Sequence, residues 1–242
     1  LRTAFDGAKA AYVLMPTDTT AADYASRQAA VGTAIVRALA AAGVPRVVAL
    51  SSLGAEVPGG PDLAATGYLG TLHDQERRLA TLDADVTFLR PGLFLESFLF
   101  GVDAMRAHGV HADSIDPHVA LPMVATRDVG DAAAEELRRP PGRADTTVRE
   151  VLGAADRTVP DVVTVLGPAL GMPDLAYVRV PDDEMEAALQ EAGMPADGAR
   201  LHVAMTRAFN EGRVRSSAGR TPEAGTPTTA EQWAATLPAV AR

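Results

Sequence analysis

"RVVALSS", residues 46–52, places four apolar residues in a row and ends them on two serines. An amphipathic strand would alternate, so an unbroken short apolar run fits a strand buried on both faces. The pattern recurs on either side. Upstream, "AAYVLMP" (10–16) is a short apolar run closed by Pro16, and downstream "VTFLRPG" (86–92) is halted by Pro91 and Gly92. The segments between them have helical character. Residues 20–44, "TAADYASRQAAVGTAIVRALAAAGV", are rich in helix formers, with Thr20 and Asp23 in capping-box spacing and Gly43 at the expected stop. Residues 67–84 place Leu69, Leu72, Leu79 and Leu82 on one helical face. Strand, helix, strand, helix, strand predicts an α/β fold with a parallel sheet and crossover helices.

Working outward, residues 1–7 read as a helix end turning at Gly7, and 120–139 as a short extended piece followed by a helix. "TVREVLG" (147–153) is strand-like, 159–171 is helical, 176–193 is a strand then a helix, and 196–213 is a further helix. Thr228 and Glu231 have capping-box spacing near the end of the chain. Loops are expected at 56–66, 106–119 and 214–227. The chain has 242 residues, 47% hydrophobic and 22% charged, enough for a sizeable core. A net charge of -9 without any Lys/Arg run argues against a nucleic-acid surface. With no cysteine there is neither a disulfide framework nor a thiolate metal site, as suits a reducing cytoplasm. No apolar run approaches the roughly 18 residues that a membrane span requires.

Four segments in this order, "FDGAKAAYVLMP" (5–16), "AAVGTAIVRALAAAGVPRVVALSSLGA" (29–55), "VTFLRPGLFLESFL" (86–99) and "TRDVGDAAAEEL" (126–137), resemble the NmrA-like branch of the atypical short-chain dehydrogenase/reductases. "RVPDDEMEAALQEAGMP", "FNEGR" and "GTPTTAEQW" look like that branch's C-terminal substrate region. The resemblance implies a Rossmann-like NAD(P)-binding domain (1–145) interleaved with a small substrate cap (146–242). The family's opening strand, glycine-rich turn and helix, on which the pyrophosphate sits, have no counterpart here. The expectation is a chain lacking the first βαβ units. NADP(H) or NAD(H) would then be the cofactor of an intact parent and bind this chain weakly or not at all.

The chemistry divides on Tyr68. In many relatives a Tyr donates a proton to the substrate carbonyl, and a Lys four residues on lowers its pKa. That position is Leu72 here, and the Asn that extended reductases carry three residues before a Gly-Thr pair (Gly32–Thr33) is Ala29. His73 lies about 140° round the helix from Tyr68 and is a poor substitute. Tyr68 is therefore either a proton donor or a wall of the pocket. Ser51 and Ser52 end the second strand, where open α/β sheets bind ligands. Their hydroxyls can meet a substrate oxygen or the nicotinamide, or simply form the turn. The resemblance implies cofactor contacts at Met15, Pro16, Ser51, Ser52, Leu53, Arg90, Pro91 and Gly92, with Phe94 facing substrate. Ser52 and Tyr68 are the catalytic candidates. His108, His111 and His118 lie in a loop-like stretch without metal-ligand spacing, and no metal is expected. Asp128 and Asp131 are expected to cap a helix start, and Trp233 to lie in the core. The implied activity is NAD(P)H-dependent reduction of a small electron-poor acceptor such as a quinone. A non-catalytic redox sensor and a non-binding fragment are the alternatives.

Overall fold

A computed structural model of the protein describes residues 1–238. Its centre is a four-stranded, wholly parallel sheet in the order β1-β2-β3-β7. The strands are β1 (Ala11–Val13), β2 (Arg46–Leu50), β3 (Asp85–Pro91) and β7 (Asp145–Val151). In register, Val47 lies beside Val86, Ala49 beside Phe88 and Leu50 beside Leu89. Helices α1 (Arg2–Phe5), α2 (Tyr24–Ala42) and α3 (Leu69–Leu79) cover one face, burying Leu39, Val47, Val86, Phe88 and Leu79. Helix α5 (Thr126–Arg138) covers the other, over Val48, Leu89 and Val151. In β2 and in the middle of β3, residues that point to opposite faces, Val47 and Val48 or Phe88 and Leu89, are both buried, which is why apolar residues follow one another there. β1 lies at the sheet edge and leaves Tyr12 and Leu14 exposed.

The third and largest core lies beyond the carboxyl ends of the strands. It joins β4 (Leu93–Phe94), α4 (Val102–His108) and β6 (Leu121–Val124) to α6 (Val159–Ala169), β9 (Ala176–Arg179), α8 (Ala196–Asn210) and α9 (Ala230–Ala234). Around it, β5 (Val110–Asp113) pairs with β9, β8 (Asp156–Arg157) with β6, and α7 (Asp182–Glu191) packs on α8. Here β4 pairs with β6 in parallel, and β6 pairs with β8 antiparallel. Trp233 is buried in this core. Strand β7 completes the sheet although it falls after the expected boundary near residue 145.

Four local expectations are corrected. Residues 106–119 are not all loop: α4 ends at His108, and β5 pairs with β9 from Val110↔Ala176 to Asp113↔Arg179. "VHAD" alternates apolar and polar residues but is only four residues long, and it is held as a strand by a partner more than 60 residues away. The N-cap of α2 is Asp23, which accepts from the Ser26 amide at 2.9 Å, while Thr20 bonds to Asp18. The capping box of α9 is Thr229 with Gln232, one residue later than expected. Thr228 is instead claimed by Asp128, whose carboxylate accepts its amide at 3.1 Å and its hydroxyl at 2.5 Å. Asp128 therefore ties the C-terminal segment to α5 rather than capping that helix, and Asp131 is exposed.

At the amino ends of the strands, the buried guanidinium of Arg46 meets Asp85 and, at 2.9 Å, Glu136 of α5. It also donates through Nε to the Glu136 carbonyl. Breaking a buried pair from one side strands the other charges without water. Arg46→Ala should lower the unfolding free energy by about 3–5 kcal/mol in urea titrations. A loss below about 1 kcal/mol would mean that the cluster is worth no more than a surface pair.

Candidate active site

Because the strands run parallel, their carboxyl ends share one side of the sheet, and a cavity of about 350 Å³ opens there. Leu14, Met15 and Thr17 enter it from the end of β1, Leu50 to Leu53 from β2, and Pro91 to Phe94 from β3. Tyr24 and Gln28 of α2, Tyr68 and Leu72 at α3, and Met205 and Phe209 of α8 close the sides. Among the described residues no charged side chain lines it. The strand exits are fixed by backbone pairing, with the Ser51 amide donating to the Leu89 carbonyl at 2.7 Å and the Leu53 amide to the Pro91 carbonyl at 3.0 Å. Gly92 is needed for close approach: a Cβ there would lie 2.3 Å from the Pro122 carbonyl oxygen of β6.

Of the expected site residues, Met15, Ser51, Ser52, Leu53, Tyr68, Pro91, Gly92 and Phe94 come together around this cavity. Pro16 and Arg90 stand outside the lining. The Pro16 carbonyl accepts from Gln28 Nε2 at 2.7 Å, so it anchors the β1 exit to α2. Arg90 is turned sideways into a bidentate pair with Glu76, at 2.9 and 2.7 Å, and reaches Glu56 at 3.1 Å. Hydrogen bonding to Glu76, reinforced by that residue's charge, raises the Arg90 pKa further. Ser51 joins the same carboxylate, donating its hydroxyl to Glu76 Oε1 at 2.5 Å.

Tyr68 forms part of the wall, but its hydroxyl donates to the Gly198 carbonyl at 2.7 Å, at the start of α8. Its ring packs edge-on against Tyr24 with centroids 4.7 Å apart. Burial, with the nearby Tyr24 and Asp197, pushes its pKa up to about 12. A phenol so placed is a weaker acid than free tyrosine. Leu72 lines the cavity where a cation would be needed to reverse that shift. The three candidate histidines are spread apart: His111 stacks on Phe98 with centroids 5.3 Å apart, while His108 and His118 are exposed. Among the described residues no three His, Asp or Glu side chains gather as a metal site.

Glu76, Gln28 and Tyr24 were not expected from the sequence. For Glu76 a signal existed. It lies four residues after Leu72 and three before Leu79, on the stripe that becomes buried, although "DQERR" reads as a solvated charged face.

A family model described as the NmrA-like family matches residues 1–233, and the chain belongs to that family. An agroclavine dehydrogenase of Claviceps fusiformis is 31% identical over 169 residues, which are 67% of this chain and 53% of that enzyme. The chain thus spans about half the length of the curated relative it matches. An NADPH-dependent quinone oxidoreductase of Escherichia coli, solved with NADPH, superposes with a TM-score of 0.73 at 20% identity, covering 97% of this chain and 78% of that one. A triphenylmethane reductase of Citrobacter sp. with NADP(H) gives 0.72 at 17% identity, covering 98% and 79%. The fold is that of NAD(P)-binding reductases. Among the described residues no helix is long and apolar enough to cross a membrane.

For the family's cofactor the cavity fits one end only. The apolar strand exits suit a flat ring, and Ser51 offers a polar contact. Among the described residues no basic side chain in the lining is placed to meet a phosphate.

The raised pKa makes Tyr68 testable by absorbance titration. The difference between wild type and Tyr68→Phe should show one phenol ionising near pH 12. Since the folded pKa lies above the unfolded value of about 10, its contribution to stability is complete below pH ~10 and lost as pH rises towards 12. A Tyr68 titrating at its ordinary value would refute the buried hydroxyl bond.

Proposed function

We propose that the protein is a reductase that passes a hydride from NAD(P)H to a small, uncharged, electron-poor acceptor, of which a quinone is the type. The observation that carries this reading is the cavity itself, which lies at the strand exits and is walled mainly by apolar groups, with no charged side chain among the described residues that line it. A bound dihydronicotinamide supplies the hydride. Met15, Pro91, Gly92 and Phe94 would flank the ring, and Ser51 would meet its polar substituent. The apolar walls keep water from the reacting face, where hydride would be lost.

A ketone reductase must protonate an alkoxide as it forms, which calls for a positioned acid. Tyr68 is poorly suited, because its proton is committed to Gly198 and its pKa is about 12. An electron-poor acceptor such as a quinone takes two electrons and one proton as hydride, leaving a stabilised oxyanion that draws its second proton from water. The names of the quinone and dye reductases that share the fold are consistent with such acceptors. Since no basic side chain among the described residues lines the cavity for the pyrophosphate, binding of the dinucleotide to this chain should be weak and carried by its nicotinamide end.

The test is NADPH and NADH oxidation with a panel of benzoquinones and naphthoquinones, alongside calorimetric binding of both dinucleotides. Turnover should appear with quinones and not with aliphatic ketones. Tyr68→Phe should keep the quinone rate within about threefold, whereas loss of a true general acid costs about 10²–10⁴-fold. A hundredfold fall would restore Tyr68 as proton donor. Tight binding of oxidised cofactor without turnover of any quinone would replace the reductase by a dinucleotide sensor.

A further inference from the structure

The hydrogen-bond directions at the β2 exit restrict what the cavity can receive there. Glu76 is buried, on the face of α3 that packs towards the sheet. Both its oxygens accept from the Arg90 guanidinium, at 2.9 and 2.7 Å, which leaves the carboxylate as an acceptor on every side. Ser51 is 5% exposed and donates to Glu76 Oε1 at 2.5 Å. A serine hydroxyl has one proton and two lone pairs. With its proton spent on Glu76, Ser51 has only acceptor capacity left for anything in the cavity it lines. Charge-assisted bonds of this kind are the strong ones, so rotating the hydroxyl towards a ligand carbonyl would give up the better partner.

We infer that Glu76 is a positioning residue that fixes Ser51 as a hydrogen-bond acceptor, so that the ligand group received at Ser51 is an N–H donor of the kind a primary carboxamide carries. This rests on the cavity being the ring-binding site proposed above, and of the roles open to Ser51 it selects contact with the nicotinamide over contact with a substrate oxygen. Ser52, next along the strand exit, accepts the Ala55 amide with its carbonyl at 3.2 Å, while its hydroxyl has no partner among the described residues and stays free to donate. The two adjacent serines thus have opposite polarity: Ser51 selects a donor, and Ser52 can meet a carbonyl.

The experiment compares nicotinamide with 3-acetylpyridine, which keeps the ring and carbonyl but replaces the NH2 by a methyl group. Dissociation constants come from ligand-observed NMR titration of the 242-residue chain at millimolar ligand. Wild type should prefer nicotinamide by about three- to tenfold, the worth of one net hydrogen bond. Ser51→Ala should bring the two rings within about twofold of each other. Glu76→Gln should do the same or favour 3-acetylpyridine, because its amide can donate to Ser51 and turn the hydroxyl proton to the cavity. Should Glu76→Gln fail to fold, Ser51→Ala alone decides, since it leaves the Arg90–Glu76 pair in place. Equal binding of both rings to wild type, or a preference that survives Ser51→Ala, overturns the inference and leaves the reductase reading standing. Binding of neither ring overturns both. Ring discrimination without quinone turnover would sink the reductase reading and uphold the role of Glu76.

Discussion

Strands β2 and β3 have no solvated face, and the placement of every other element follows from that. A parallel pair cannot be closed by a hairpin, so each strand needs a crossover, and the crossovers α2 and α3 supply the cover for one face. The second face needs a helix from further along the chain, which is α5. Once both faces are covered, ligand access is confined to the strand ends. Parallel direction places the ends of β1, β2 and β3 side by side, and the cavity forms between them and the C-terminal core. Its location is therefore a consequence of burial rather than a separate feature.

The same burial explains a symmetry in the charges. At the amino ends of the strands Arg46 is joined to Glu136 of α5, and at the carboxyl ends Arg90 is joined to Glu76 of α3. In each case a strand arginine pairs with a glutamate from the helix that packs over it. Buried pairs of this sort add little net stability, because desolvation offsets most of the attraction. They do penalise misplacement: a helix slipped by one turn would leave both charges unpaired. The two clusters therefore act as register pins, one for each helical layer. The pin at the carboxyl end also sets the polarity of Ser51, so one carboxylate serves packing and ligand recognition together.

Much of this was legible in the sequence. Continuous apolar runs at 10–16, 46–52 and 86–92 announced buried parallel strands, and the serines and the Pro-Gly after them marked the ligand-facing exits. What escaped were decisions made by distant partners. β5 exists because β9 lies beside it. Thr228 and Thr229 each had capping-box spacing, and the choice between them was made by Asp128, a hundred residues away. Arg90 sits at the right strand end, yet a carboxylate fourteen residues upstream turns it away from the cavity. Local pattern encodes where elements form and which face they bury. It does not encode which polar side chain takes which partner, because that depends on distances set only after the layers have packed.

The fate of the tyrosine follows from the same accounting of protons. In a Tyr-Lys reductase the lysine draws the phenol towards ionisation and leaves its hydroxyl pointing at substrate. With Leu72 in the lysine's position nothing opposes burial, and a buried hydroxyl needs a partner of its own. The Gly198 carbonyl, in the first turn of α8, accepts it at 2.7 Å, and Tyr68 becomes a strut between α3 and α8. Gly67, just before it, allows this closeness, since a Cβ there would lie 2.1 Å from the Leu201 carbonyl oxygen. Loss of the cation and docking of α8 against this turn are thus two sides of one arrangement. Restoring a lysine at position 72 would not by itself restore an acid. The hydroxyl would first have to leave Gly198, and that bond is part of what holds α8 against the end of α3.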